Sequence, residues 1–505
     1  MPAYRITFPL LLALSVLGLA TPIASGQIAR PQRISRDPQD WPMYNHDSEG
    51  TRWNTGERVL SATNVGSLTE KWRYPTTGDV YGTPAVVDNT IYFGDTSGTF
   101  YAMTDKGSVL WTSKVQAPIT DSALVTNAMV FFGDQAGNIY GLDRSTGTQV
   151  WQVHPNISGG SIIWASAAWI EDDLGPGIVI GIGSNEPLAS SFPGFSGSVV
   201  RLDPNTGKVV WQTYVIPEAE QMAGSCGAGV WSTPTYDAET GYVYAATGNS
   251  YAVTVPPKPA SSRSDAIIAL DAKNGDIKWT YQAESGDTGQ LDGDFADSPH
   301  IYTLHGRKMV GAGEKTGNYI VLDAKYGTLI RKLRVVPECP GQNGLFATSA
   351  VAHVQTGNGQ LPIVFAPGQN NCTPGNCANG SSPLPLSPST GQITAIMPDA
   401  SETLWDLVTP SENAMSGVAV ANGVAYYAVV GCDGELLALD AKTGKPLMNR
   451  PTSNTGFGEL IRWGVSGPSV SHGQVYVGTG TEFALPGSGV FTGPPSIVAL
   501  GLPEN

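Results

Sequence analysis

GLDRSTGTQVW (141–151), RLDPNTGKVVW (201–211) and ALDAKNGDIKW (269–279) are copies of one eleven-residue pattern, apolar-Leu-Asp-x-x-Thr/Asn-Gly-x-x-x-Trp. The pattern continues without its tryptophan in VLDAKYGTLIR (321–331) and ALDAKTGKPLM (438–448), and in eroded form in AMTDKGSVLW (102–111) and AIMPDASETLW (395–405). Such recurrence marks a repeat architecture. In each copy a short apolar strand runs into a turn where the Asp carboxylate can accept backbone N–H groups and Gly supplies a positive φ, and a second strand follows. The unit is therefore a β-hairpin. Its terminal indole, as in Trp151, Trp211 and Trp279, is too large for one hairpin to cover and requires a neighbouring unit beside it.

Between the copies lie further short strands with turn punctuation, such as AVVDNTIYFGDTSG (85–98), AMVFFGDQAGNIY (128–140) and GQVYVGTGTEF (473–483). Each period thus holds about four strands, the content of a propeller blade. The turn glycines Gly107, Gly147, Gly207, Gly275, Gly327 and Gly444, with Ser401 standing in for one, count seven units, and SIVAL (496–500) reads as the strand of an eighth. The expectation is an all-β, eight-bladed β-propeller over residues 41–505, its ring closed by the segment around Trp41 to Trp53 and the last strands. Closure removes the exposed edge that an open sheet must protect. The intervals 207–275 and 327–401 exceed what four strands need and carry inserted loops of the kind that hold function. A chain of 505 residues with 61 glycines and 14% charged residues suits one turn-rich propeller, which has no single growing core to limit its size.

The N-terminus reads differently. Arg5, the apolar run ITFPLLLALSVLGLA (6–20) and Ala24-Ser25-Gly26 before Gln27 have the parts of a secretory signal over residues 1–26, followed by an N-terminal extension at 27–40. The expectation is an exported protein, periplasmic or extracellular, with no membrane span after signal removal. Five cysteines in an exported chain permit disulfides: Cys372 and Cys377 can bridge across the Pro-Gly turn of CTPGNC, Cys339 is an alternative partner for either, and Cys226 and Cys432 stay unassigned. The balance of 28 basic against 43 acidic residues argues against nucleic acid as a partner. The six histidines show no metal-ligand spacing, and neither a G-x-S-x-G elbow nor a G-x-G-x-x-G loop is present. Chemistry must therefore come from a bound cofactor or a metal held by oxygen ligands.

The Trp-ended repeats, the opening WPMYNHDSEGTRWN (41–54), the stretch GAGVWSTPTYDAETGYVYAATGNSY (227–251) and DAIIALDAKNGDIKW (265–279) resemble the pyrroloquinoline quinone (PQQ) dehydrogenases, most closely their polyvinyl-alcohol-dehydrogenase-like branch, over nearly all of residues 40–500. The resemblance implies a site. Trp231 is the floor on which the flat quinone stacks, and Asn249 of Thr247-Gly248-Asn249 is a side-chain oxygen ligand of a Ca²⁺ ion. Glu186 is the carboxylate ligand one blade earlier. Asp294, chosen from Asp292, Asp294 and Asp297 because Phe295 follows it, is the general base and a further metal ligand. Lys315 in GAGEKTGNY (311–319) is the cation near the quinone oxygens. Ala296 stands where lanthanide-using relatives carry a second Asp, which favours calcium. The adjacent cysteine pair of the best-known relatives is absent, and Gly293 replaces the Trp that often precedes the base. The implied reaction is oxidation of a small or polymeric alcohol by hydride transfer to PQQ. No C-x-x-C-H is present for a covalent haem, so electrons leave to a separate acceptor, a cytochrome c among the candidates. The competing reading is a non-catalytic propeller that serves as a protein-interaction scaffold, since the repeat alone does not license an activity.

Overall fold

The computed structural model describes residues 32–155, 159–184, 194–251, 260–285, 293–337, 344–357, 359–370, 390–409, 412–413, 416–431, 435–448, 466–480 and 495–504. The proposed signal segment, Glu186, Asp292, Cys339, Cys372, Cys377 and Cys432 lie outside the described residues. Eight small antiparallel sheets follow one another along the chain and make an eight-bladed propeller. Blades 1 to 7 occupy residues 85–114, 124–153, 161–214, 235–282, 300–334, 350–409 and 419–440. Blade 8 is built from both ends of the described chain: Ser469–Ser471, Gln474–Gly478 and Ser496–Gly501 are joined by Thr69–Pro75, which pairs antiparallel with Ser496–Gly501.

Each turn Asp accepts the N–H groups that the repeat leaves open. Asp143 holds the backbone of Ser145 and Thr146, Asp203 that of Asn205 and Thr206, and Asp440 that of Lys442 and Thr443. The following Gly takes a positive φ, 72° at Gly147 and 68° at Gly207.

The tryptophan at the end of one blade covers the turn of the next. The indole N–H groups of Trp72, Trp111, Trp151, Trp211, Trp279 and Trp405 donate to turn carbonyls of the following blade at 2.7–3.2 Å. Their rings lie flat against that blade's turn glycine, so closely that a Cβ on Gly107, Gly147, Gly207, Gly275, Gly327 or Gly444 would fall 2.4–2.8 Å from the indole. Blade 5 ends in Arg331 instead of a Trp, and the turn it faces, in blade 6, has lost its glycine as well. There Ala400, and not Ser401, takes the positive φ of 54°. With no indole to approach, a Cβ fits.

The segment 41–54, which the sequence reading placed at the closure of the ring, adds no outer strand to a blade; the outer strand of blade 8 is Thr69–Pro75. The segment crosses the hub and touches the inner strand of every blade in order. Trp41 exchanges backbone bonds with Val86, the Pro42 carbonyl accepts from Val125, and the Ser48 hydroxyl donates to the Trp169 carbonyl. The carbonyls of Ser48, Glu49, Thr51 and Arg52 then accept from Tyr236, Ile301, Val351 and Val420, and the Asn54 amide donates to Val470. Arg52 is fully buried in this hub, where its guanidinium donates to the carbonyls of Tyr44, Val418 and Pro468.

Apolar cores fill the spaces between blades. Phe100 of blade 1, for example, stacks on Phe132 of blade 2 with centroids 4.4 Å apart.

Candidate active site

The candidate residues arrive from separate places in the chain. Trp231 precedes the inner strand of blade 4, Asn249 follows that blade's second strand Tyr242–Ala246, and Asp294 precedes the inner strand of blade 5. Lys315 sits in the turn between Arg307–Gly313 and Asn318–Asp323. Propeller topology brings such inner-strand approaches to the axis.

The structure joins three of them directly. The Trp231 indole N–H donates to Asp294 Oδ2 at 2.9 Å, and Lys315 Nζ lies 2.7 Å from Asp294 Oδ1. The same ammonium stands 4.9 Å from the Trp231 ring centroid and 5.2 Å from that of Phe346, within cation–π range of both. The Lys315 backbone N–H also donates to the Asp294 carbonyl at 3.0 Å. Asp294 is 3% exposed and Lys315 9%, so the pair is held out of water.

Asn249 is buried beside this group. A Cβ on the preceding Gly248 would lie 3.4 Å from both Asp294 Oδ2 and the Trp231 ring, which sets the Thr-Gly-Asn backbone against the carboxylate. Gly229 accepts the Gly248 N–H at 2.7 Å, and a Cβ on Gly183 would come within 3.3 Å of Trp231 Cβ. These glycines let three chain segments close on one indole. The strand Gly175–Ser184 ends here, two residues short of Glu186.

Of the acidic cluster, Asp294 belongs to the site and Asp297 to the framework. Asp297 accepts from His300, Gly313 and Ser349, the last through both its N–H and its hydroxyl. Behind Lys315, the buried Glu314 receives Thr316 and Asn318, and Lys332 bridges Glu284 and Glu314 at 2.9 Å each. Burial works against the Lys332 ammonium, but the two carboxylates outweigh it and hold its pKa above the ordinary lysine value.

Sequence reading missed the walls of the site. Phe346, Tyr81 and Trp164 line an axial cavity of about 140 Å³ together with Trp231. Every blade contributes small residues to it just before its inner strand: Gly82, Ser122, Ser166, Ser232, Ser298, Thr348, Gly417 and Gly467. The signal was present in the short runs GTPA (82–85), STPT (232–235), DSPH (297–300), TSAV (348–351) and SGPS (466–469), which repeat with the blades.

The donor set suits the implied cofactors. A buried carboxamide and a buried carboxylate are the hard oxygens a calcium ion prefers, and the Trp231 indole, on the wall of the axial cavity, is an aromatic face of the kind a flat ring stacks on.

A propeller of eight blades, six of four strands and two of five, with an aromatic and charged cluster at its axis, points to the quinoprotein class. The family model PQQ_2, described as outer membrane protein assembly factor BamB, matches residues 51–261, 156–381 and 389–487. The chain is similar to the polyvinylalcohol dehydrogenase of a Pseudomonas species, 28% identical over 501 residues that cover 88% of this chain and 73% of the relative. It is also similar to the quinohemoprotein alcohol dehydrogenase of Comamonas testosteroni, 24% identical over 82% of this chain and 69% of the relative. The crystal structure of that Comamonas enzyme has the same fold, with a TM-score of 0.69 at 21% identity over 92% of this chain and 82% of the other. The chain belongs to the PQQ-dependent dehydrogenase family, in its polyvinyl-alcohol-dehydrogenase-like branch, and is an oxidoreductase of the class acting on CH–OH donors.

Proposed function

We propose that the protein is an exported, PQQ- and Ca²⁺-dependent dehydrogenase that oxidises a primary or secondary alcohol, small or polymeric, and passes the electrons to a separate acceptor. The observation that carries the reading is the Asp294 carboxylate, buried and held between the Trp231 N–H and the Lys315 ammonium. An interaction scaffold has no use for a buried, oriented base at its axis.

PQQ would supply the electron-pair sink that takes the substrate hydride, and Ca²⁺ the Lewis acidity that polarises it. The chain supplies position and charge. Trp231 offers the aromatic face, and Asn249 with Asp294 and Glu186 would hold the ion. Asp294, whose oxygens take the Trp231 N–H and the Lys315 ammonium, would accept the alcohol proton. Lys315 pairs with the Asp294 carboxylate and places positive charge where oxygen anions develop. Export is supported by the charged, apolar and small-residue pattern of residues 1–26.

The test is to mix the purified chain with PQQ and Ca²⁺ and follow dye reduction with primary and secondary alcohols. Turnover that requires both additions supports the proposal. PQQ binding with no turnover on any alcohol, or no binding at all, returns the chain to the scaffold reading.

A further inference from the structure

Asp294 and Lys315 stand on two short segments that belong to no strand. Asp294 lies in the run that leads to His300, where the inner strand of blade 5 begins, and Lys315 in the turn that Glu314 opens. The segments meet through the backbone bond from the Lys315 N–H to the Asp294 carbonyl and through the ion pair. Whatever fixes the two backbones therefore fixes how the carboxylate is presented.

Behind them sits a second set of charges to which the proposed reaction gives no part. Lys332, from the outer strand Leu329–Arg334, places its Nζ 2.9 Å from Glu314 Oε1 and 2.9 Å from Glu284 Oε1. Each carboxylate touches one of the two segments. Glu314 precedes Lys315, and on the oxygen that meets Lys332 it also takes the Thr316 hydroxyl and the Asn318 amide of the same turn. Glu284, just after the outer strand of blade 4, packs on Gly293, the residue before Asp294. A Cβ on Gly293 would fall 2.9 Å from Glu284 Cγ and 3.4 Å from Thr316 Cγ2, so Gly293 is wedged between the two. One ammonium thus ties blade 4 to blade 5 where the base stands.

The burial of Glu314 argues that this tie has a use. Its side chain is 0% exposed and its Oε2 has no hydrogen-bond partner among the described residues. A carboxylate kept in such a place costs stability that an apolar residue of similar size would not, whereas the geometry it imposes is specific. Lys332 and Glu284, at 30% and 27% exposed, remain within reach of water, so the acid is held from the solvent side of the turn.

We infer that Lys332 is a positioning residue for the oxidation: by bridging Glu284 and Glu314 it locks the Asp294 segment against the Lys315 turn. The inference deepens the dehydrogenase reading and rests on it for its purpose, while the lock itself is measurable without turnover.

Three variants test it. Lys332→Met keeps the chain length and removes the ammonium, and Lys332→Arg keeps a cation able to reach both carboxylates. Lys332→Met combined with Glu314→Gln also removes the buried charge that the first variant leaves unpaired. Thermal melts check folding, and hydrogen exchange followed by mass spectrometry reads the peptide containing the Lys315 amide, without quinone or metal. In Lys332→Met and in the double variant that amide should exchange about tenfold faster, while strands 307–313 and 318–323 keep their protection. With PQQ, Ca²⁺ and an alcohol, kcat should fall about ten- to a hundredfold, as a small misplacement of a base costs, with KM and PQQ affinity little changed. Lys332→Arg should restore both readouts. A merely structural pair would lower the melting temperature in Lys332→Met, recover it in the double variant, and leave kcat and the Lys315 amide as in wild type; that result overturns the inference, as does a loss of kcat that Lys332→Arg fails to restore. Wild-type turnover with no effect of Lys332→Met removes the lock and leaves alcohol oxidation standing. Faster exchange in Lys332→Met with no wild-type turnover on any alcohol does the reverse.

Discussion

Asp294 and Lys315 stabilise each other because each is the main compensation for the other's charge in a nearly dry place. Removing one partner of such a pair leaves an uncompensated charge and costs about 3–5 kcal/mol. Lys315→Ala should therefore lower the urea midpoint by a margin far beyond a surface substitution, whereas Lys315→Arg, which restores the charge, should recover most of it. Equal stability of the Ala and Arg variants would show that the ion pair contributes nothing. Asp294→Asn is the complementary case. The amide oxygen can still accept the Trp231 N–H, so the side chain stays in place, but it no longer takes a proton. Dye reduction should fall by about 10²–10⁴ while PQQ binding, followed by quenching of tryptophan fluorescence, stays within a few-fold of wild type. Sequence resemblance pointed to Trp231, Asn249, Asp294 and Lys315, and the structure brings these to one place. What it could not supply is the contact list. Nothing local in GAGVW or GDFAD says that the indole N–H of one meets the carboxylate of the other 63 positions away.

At the level of the blade, stability depends on a docking rule that links one repeat to the next. The turn glycine is required by both its positive φ and the indole lying on it, so Gly147→Ala should destabilise by about 1–3 kcal/mol through strain and overpacking against Trp111. Ala400→Gly, in the turn that faces Arg331, should not, because the left-handed strain it relieves offsets the entropy glycine adds. Urea denaturation of the two variants checks the contrast. This rule is why the propeller was legible: the Asp-x-x-Thr-Gly turn and the distant Trp are coupled by contact, so both survive or both fade together. The closing strand was not legible, because Thr69–Pro75 carries the Trp in EKWRY with no turn before it. Nor did WPMYNHDSEGTRWN announce a hub, since most of its bonds to the blades run through its backbone and the few made by side chains, from Ser48, Arg52 and Asn54, follow no repeating pattern. A second device between blades is pH-dependent. Arg201 of blade 3 donates to both oxygens of Asp172 and to the Ala272 carbonyl of blade 4. Burial raises the Asp172 pKa, but the Arg201 and Leu174 donors outweigh it and leave it below its ordinary 3.8. A depressed acid stabilises the fold above its unfolded pKa, and that contribution is lost as pH falls through the folded value. Asp172→Ala should cost about 3 kcal/mol at pH 7, and its gap from wild type should close on acidification below 3.8. Thermal melts across pH 2–7 read this directly, and a constant gap would count against the pair.

Among the described residues the ring has one seam. In each of blades 1 to 6 the Trp- or Arg-bearing outer strand continues by a short turn from the strand it pairs with, so covalent connection holds it even when packing weakens. Blade 8 differs, for its outer strand Thr69–Pro75 comes from the opposite end of the described chain and is tied to Ser496–Gly501 only by hydrogen bonds and side chains. Trp72 is the main anchor there, donating to the Asp105 carbonyl at 2.7 Å and covering Gly107 of blade 1. Loss of a fully buried aromatic costs about 3–5 kcal/mol and that of the partly buried Trp72 less, but where the loss appears depends on topology. In Trp211→Ala the hairpin remains joined and the cost should spread into the global unfolding free energy. In Trp72→Ala the seam should open by itself, as a sub-global event below the free energy of global unfolding. Hydrogen exchange followed by mass spectrometry distinguishes the two: residues 69–75 and 496–501 should lose protection ahead of all other strands in Trp72→Ala, while in Trp211→Ala blade 3 should exchange together with the rest. Uniform exchange in both variants would mean that the hub segment 41–54, bonded to every inner strand, holds the ring shut without the help of its seam.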